Sequence, residues 1–133
     1  MKQVLLDTDV IVDFLREGAD HLGIIEGVSK RKVVGYISAI THFELHNGAL
    51  LSRDPKRKLE ELGEMLEVME VVTLGPAESY AASRIYSNLV RRGLSLEMRD
   101  ILIAGCAVSK SLALLTKNRK HFERISEVEF FRW

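Results

Sequence analysis

The sequence has one cysteine, two prolines, no net charge and no long apolar stretch, and each shortage narrows what the chain can be. The single cysteine, Cys106, lies inside an apolar run, so no disulfide can form within the chain. A buried thiol in a reducing cytosol is expected. The longest purely apolar run, Ile101 to Val108, contains Gly105 and falls far short of the ~20 residues that span a bilayer. A first strand is expected almost from Met1, which leaves no basic segment, apolar core and cleavage site ahead of it. These features predict a soluble, cytoplasmic protein that does not engage a membrane.

Lys plus Arg number 19 and Asp plus Glu number 19, so the formal net charge is zero. That argues against a protein that coats nucleic acid through bulk positive charge. Basic residues still cluster locally, at Lys30-Arg31-Lys32, Lys56-Arg57-Lys58, Arg91-Arg92 and Lys117 to Lys120. Any one cluster suits a solvated face or the C-terminal end of a helix; several around one acidic cleft would grip phosphates. No Gly-x-Ser-x-Gly elbow, phosphate loop or dinucleotide-binding glycine motif is present, so those chemistries have no support.

What is there is an ordinary globular composition, 47% apolar and 29% charged over 133 residues. That length predicts a single domain over 1–133. It can bury roughly two thirds of its extended surface without a metal or disulfide staple. Short β-rich runs are Val4-Leu5-Leu6, Val33 to Ile37, Val71 to Leu74 and Ala113 to Thr116, with Glu127 to Phe131 as a last, edge strand. Helical patterns lie between them. Asp9 to Arg16 stops at Gly18, and Ala19 to Ser29 forms a second helix. Ser38 caps a helix from Ala39 to about Leu51. Both prolines open helices, at Asp54-Pro55 and Gly75-Pro76. The first carries Leu59, Leu62, Met65, Leu66 and Met69 at helical spacing, and the second ends at Arg91-Arg92-Gly93. An apolar helix follows Asp100, and a short one runs from Asn118 to Arg124. Strands alternating with helices predict an α/β fold with a mostly parallel sheet of about five strands flanked by helices.

Three acids stand apart from those that decorate amphipathic helices. Asp7 ends an apolar strand, Glu44 sits between Phe43 and Leu45 just after the second strand, and Asp100 precedes eight apolar residues. Each has an ordinary reading, as a helix cap or a solvent-facing residue. Together they would meet at the carboxyl edge of the sheet, where ligands bind in open α/β folds. Carboxylates crowded there repel, and a divalent cation removes the conflict. Hard oxygen donors without a Cys/His cluster point to Mg²⁺ or Mn²⁺ rather than zinc, and such sites handle phosphate esters. His42 and His46 share a helical face, but Glu44 between them is in the wrong register for a His-Glu-x-x-His zinc motif. His21 and His121 have no evident partner.

Four segments together resemble PIN domains, and VapC-type toxins of toxin–antitoxin pairs most closely. They are Leu5-Leu6-Asp7-Thr8-Asp9-Val10, the stretch Ile37-Ser38-Ala39-Ile40-Thr41 with Glu44-Leu45 and Gly48-Ala49, Asp100-Ile101-Leu102-Ile103-Ala104, and Leu115-Thr116 with Asn118 and Phe122. They occur in the family's order over nearly the whole chain. The resemblance implies a three-layer α/β/α domain and a Mg²⁺- or Mn²⁺-dependent ribonuclease. It implies a dimer silenced by a small VapB-like antitoxin, with RNA as substrate. Asp7, Glu44 and Asp100 match the family's acidic metal-binding positions. Asn118 stands where the family often has a fourth acid, which makes a second metal less well supplied. Thr8, Ser38 and Thr116 match small hydroxyl positions that orient carboxylates or water; Asp9 and Glu97 are further candidates nearby.

Two rivals remain open at this point. Asp7-Thr8-Asp9 after an apolar strand imitates the nucleophile motif of haloacid-dehalogenase-type phosphatases, which would leave Glu44 unexplained. A degenerate PIN module that binds RNA or protein without cutting would explain Asn118.

Overall fold

Four strands form one parallel sheet in the order β3-β2-β1-β4 in the computed structural model, which describes residues 1–133. They are β1 (Lys2–Leu6), β2 (Val33–Ser38), β3 (Met69–Val72) and β4 (Ala113–Leu115). Val4, Leu5 and Leu6 have no exposed surface, and consecutive residues feed opposite faces of the sheet. Val4 and Leu6 pack with Ile11, Ile24, Leu45 and Leu62, whereas Leu5 packs with Ile85, Leu89, Ile103 and Phe122. The two cores make the α/β/α layering, and they explain why β1 reads as an unbroken apolar run.

Seven α-helices connect and cover the strands: α1 (Thr8–Glu17), α2 (Ile24–Ser29), α3 (Ala39–Leu50), α4 (Pro55–Leu66), α5 (Pro76–Arg91), α6 (Met98–Ser109) and α7 (Arg119–Phe122). Their starts follow the sequence chemistry. The Ser38 hydroxyl accepts from Thr41 N at 3.1 Å to cap α3, and Pro55 and Pro76 open α4 and α5. None of the helices is long and apolar enough to cross a membrane.

The chain moves from β1 to β2 and β3 on one side, then returns to place β4 on the other side of β1. The gap between the ends of β1 and β4 is therefore the topological switch point. Leu6 pairs with Leu115, and Asp7 N donates to Leu115 O at 2.9 Å, which fixes Asp7 beside Thr116 at that gap.

Four expectations change. The fifth strand reduces to a single parallel bridge between Leu114 and Phe130, held by Leu114 N to Glu129 O and Phe131 N to Leu114 O. Its partner β4 is only three residues long. Beyond it Phe131 turns into the core, and the Trp133 indole donates to Leu22 O at 2.7 Å. The helix expected over Ala19 to Ser29 is broken, because Leu22 and Gly23 take left-handed backbone angles (φ 56° and 66°). The Asp20 carboxylate accepts from Ile25 N and Glu26 N, starting the shorter α2. The third strand begins earlier, at Met69, whose spacing from Leu62 and Met65 imitates the helix before it. Helix α6 starts at Met98, so Asp100 lies within its first turn rather than ahead of it.

Candidate active site

The switch point gathers the three acids singled out in the sequence. Asp7, at the end of β1, is the N-cap of α1 and 2% exposed; its Oδ1 accepts from Thr8 N at 2.8 Å, and its Oδ2 accepts from the Thr116 hydroxyl at 2.7 Å. Asp100 is also 2% exposed and projects from α6. Glu44, half-buried on α3, reaches the same place because Ser38 sets where that helix begins.

All three converge on one side chain that sequence reasoning passed over, Arg99. Its Nε and Nη2 form a fork on Glu44, at 2.8 Å to Oε2 and 2.8 Å to Oε1. Its Nη1 donates to Asp100 Oδ1 at 2.6 Å, and Nη2 also reaches Asp7 Oδ1 at 3.2 Å. A guanidinium forked on a carboxylate is among the stronger ion-pair geometries. Glu44 accordingly has its carboxyl held below the ordinary range, chiefly by the Arg99 hydrogen bonds and less by that from Thr8, while burial opposes the shift. Arg99 is held protonated more firmly still, mainly through Glu44. In the structure it stands in the first turn of α6, where a cation opposes the helix dipole, so its carboxylate partners hold it there.

A hydroxyl chain supports the cluster. Ser38 lies near Thr41, the Thr8 and Thr41 hydroxyls meet at 2.9 Å, and Thr8 Oγ1 donates to Glu44 Oε1 at 2.6 Å. Thr41, buried and not among the expected site residues, is the link in that chain. Thr116 also accepts from Asn118 N at 3.0 Å, which ties the turn after β4 to Asp7.

The other candidates surround this core. Asn118 stands at the N-cap position of α7 without a capping hydrogen bond; its amide meets His121 Nδ1 at 2.9 Å, and the same ring nitrogen lies 3.2 Å from Asp100 Oδ2. His121, which had no evident partner in the sequence, therefore belongs to the site, its Nδ1 placed between the Asn118 amide and the Asp100 carboxylate. Asp9 accepts from Lys117 N at 3.1 Å, but its Oδ1 is buried with no partner. Burial pushes its carboxyl above the ordinary range, and the charge on Asp7 adds to this. Glu97 is the N-cap residue of α6 without a capping hydrogen bond; it is exposed and lines a shallow cavity with Ser95, Leu96, His121 and Arg124. It does not join the acid cluster. His42 and His46 stack on each other at 4.1 Å between ring centroids, and His46 Nδ1 contacts His42 O.

The donor chemistry suits a hard divalent cation: carboxylate oxygens from three elements, and a guanidinium standing where positive charge is needed. The carboxylates are spread around that guanidinium, and no three Asp, Glu, His or Cys groups form a ready-made coordination set.

Fold and site together define an α/β protein with a carboxylate centre at the switch point of its sheet. The PIN domain family model matches residues 4–128, and the chain belongs to that family. It is 28% identical over 133 residues to the tRNA(fMet)-specific endonuclease VapC of Salmonella typhimurium, covering 100% of this chain and 99% of that protein. It is 32% identical over 97 residues to a ribonuclease VapC of Rickettsia bellii, covering 71% of this chain and 72% of that one. DNA-bound VapBC from Salmonella typhimurium has a chain of the same fold, with a TM-score of 0.88 at 27% identity and 98% coverage of both chains.

Proposed function

We infer that this chain is a VapC-type ribonuclease, the toxin of a toxin–antitoxin pair, and that it hydrolyses RNA phosphodiester bonds with a divalent metal ion. The observation that carries the reading is the meeting of Asp7, Glu44 and Asp100 around one positive charge at the carboxyl edge of the sheet. The metal ligands in this reading are Asp7, Glu44 and Asp100, and the ion is Mg²⁺ or Mn²⁺. When bound, such an ion supplies an acidified water and offsets charge on the phosphoryl oxygens.

The chain's own groups do the rest. Thr116 and the Thr8 backbone amide fix both oxygens of Asp7, so this ligand is oriented before anything binds. Thr8 and the Ser38–Thr41 pair orient Glu44. His121 stands beside Asp100 on the side of the shallow cavity, where it can exchange a proton with a substrate oxygen. RNA selection at such a site rests on strand shape and exposed bases.

The partners in this reading are RNA, a VapB-like antitoxin and a second copy of the chain, all in the cytoplasm. What supports the antitoxin is the kinship with VapC proteins and an open groove beside Glu44. Val12, Leu15, Leu45, Ala49 and Leu62 line that groove.

The test is cleavage of labelled total RNA by purified, partner-free protein with Mg²⁺, with Mn²⁺ and with EDTA. Cleavage that EDTA abolishes and added ion restores is expected. Cleavage indifferent to EDTA contradicts the metal, and RNA binding without any cleavage contradicts the nuclease.

A further inference from the structure

The inward carboxylate oxygens of the site are already taken. Arg99 occupies Glu44 Oε1 and Oε2, Asp100 Oδ1 and Asp7 Oδ1 at 2.6–3.2 Å. The outward oxygens are engaged elsewhere, Asp7 Oδ2 by Thr116 and Asp100 Oδ2 by His121. The oxygens that converge on one point, and that a cation shared by all three acids would need, are those the guanidinium holds. The guanidinium is not walled in, however, since the Arg99 side chain keeps 31% of its surface exposed. It sits on an unbranched stem at the second residue of α6, at the mouth of the site.

We propose that Arg99 competes with a divalent ion for the three carboxylates, and that an ion held by all three binds only by displacing it. This rests on the metal-nuclease reading above. Two consequences follow from competition for the same oxygens. The affinity observed for the ion is the intrinsic affinity reduced by the fraction of molecules with Arg99 displaced. The arginine also offsets the mutual repulsion of the three carboxylates.

The test is Mn²⁺ binding by calorimetry and by the loss of the free-ion paramagnetic resonance signal, with thermal unfolding in parallel. Wild type is compared with Arg99→Gln, Arg99→Lys, Asp7→Asn and the double variant Asp7→Asn/Arg99→Gln. Arg99→Gln is expected to bind Mn²⁺ about tenfold more tightly or better, the factor being set by how rarely the site opens in wild type. Without metal the same variant is expected to melt at a lower temperature, and to gain more from added Mn²⁺. Arg99→Lys, which keeps a charge but loses the fork, is expected to fall between the two; it keeps the comparison alive if Arg99→Gln does not fold without metal. Equal or weaker Mn²⁺ binding in Arg99→Gln and Arg99→Lys, with binding still lost in Asp7→Asn, overturns the proposal and leaves the metal site standing. Absence of Mn²⁺ binding in every variant, or binding that ignores Asp7→Asn, overturns the metal reading and this proposal with it.

Discussion

Single residues carry two different kinds of charge in this molecule. Glu78 is 4% exposed and accepts from the Ser109 hydroxyl at 2.9 Å and from Gly75 N at 3.0 Å. The Ser109 bond is the main reason its carboxyl lies below the ordinary 4.5, with burial opposing the shift. The folded state therefore prefers the charged form, and the stability this contributes is present above the unfolded value and lost as pH falls through the folded one. Urea midpoints of wild type and Glu78→Gln are expected to differ by a constant amount above about pH 5.5 and to converge as the pH drops below about 4.5. A gap that stays constant to about pH 3 contradicts the assignment. Glu78 was not legible, since its sequence neighbourhood is that of an ordinary helix start. The convergence of Asp7, Glu44 and Asp100 was legible because each stands beside apolar residues at or near the carboxyl edge of the expected sheet, although each alone also reads as a cap or a surface acid. Arg99 and His121 were not, because a basic residue near a helix end looks ordinary until the fold shows what it faces.

At the scale of elements, the tightest constraint is where α5 crosses α6. A Cβ on Gly105 would stand 2.9 Å from Glu78 O and 2.9 Å from Ala82 N, backbone atoms that cannot step aside. Helix α6 carries Asp100 at its other end, so a shift here would move an acid of the site. Gly63 on α4 has nothing within 4 Å of such a Cβ. Chemical denaturation is expected to show Gly63→Ala more stable than wild type by about 0.5–1 kcal/mol, the ordinary helix preference for alanine. Gly105→Ala is expected to be destabilised despite that preference, because overpacking costs about 1–3 kcal/mol. Equal gains at both positions would mean that α5 and α6 have room to part. Sequence periodicity placed all four sheet strands and missed mainly at boundaries. Met69 continued a helical spacing while belonging to a strand, and Leu22 and Gly23 broke a helix by backbone angles that apolar patterning does not register. The strand expected over Glu127 to Phe131 failed for want of a long partner, which is a property of β4 and not of the segment itself.

For the whole molecule, strand direction sorts the basic clusters that the sequence left equivalent. Lys30 to Lys32 immediately precede β2 and lie at the amino edge of a parallel sheet, away from the acids. Lys117 follows β4 at the carboxyl edge, where it pairs with Asp13. Arg124 lines the cavity beside His121 and Glu97, and Arg92 donates to its carbonyl oxygen at 2.8 Å. Of these, Arg124 is the basic side chain that stands beside His121 at the site. Arg124→Ala is expected to weaken RNA binding and to flatten its dependence on log salt by about 0.7, the value of one phosphate contact on a single strand. Lys32→Ala is expected to change neither quantity, and equal effects of the two would place the RNA elsewhere.

In the proposed function Asp7, Glu44 and Asp100 act as one catalytic cluster. The most direct measurement is the single-turnover rate of RNA cleavage by Asp7→Asn and Asp100→Asn, prepared beside wild type and beside Asp54→Asn, which alters an exposed helix cap of α4. With folding checked by circular dichroism, both site variants are expected to lose at least about a hundredfold in rate, the upper end of what an outer-sphere partner costs. Asp54→Asn is expected to cut as wild type does. Undiminished cleavage by Asp7→Asn and Asp100→Asn would move the active site away from the switch point of the sheet.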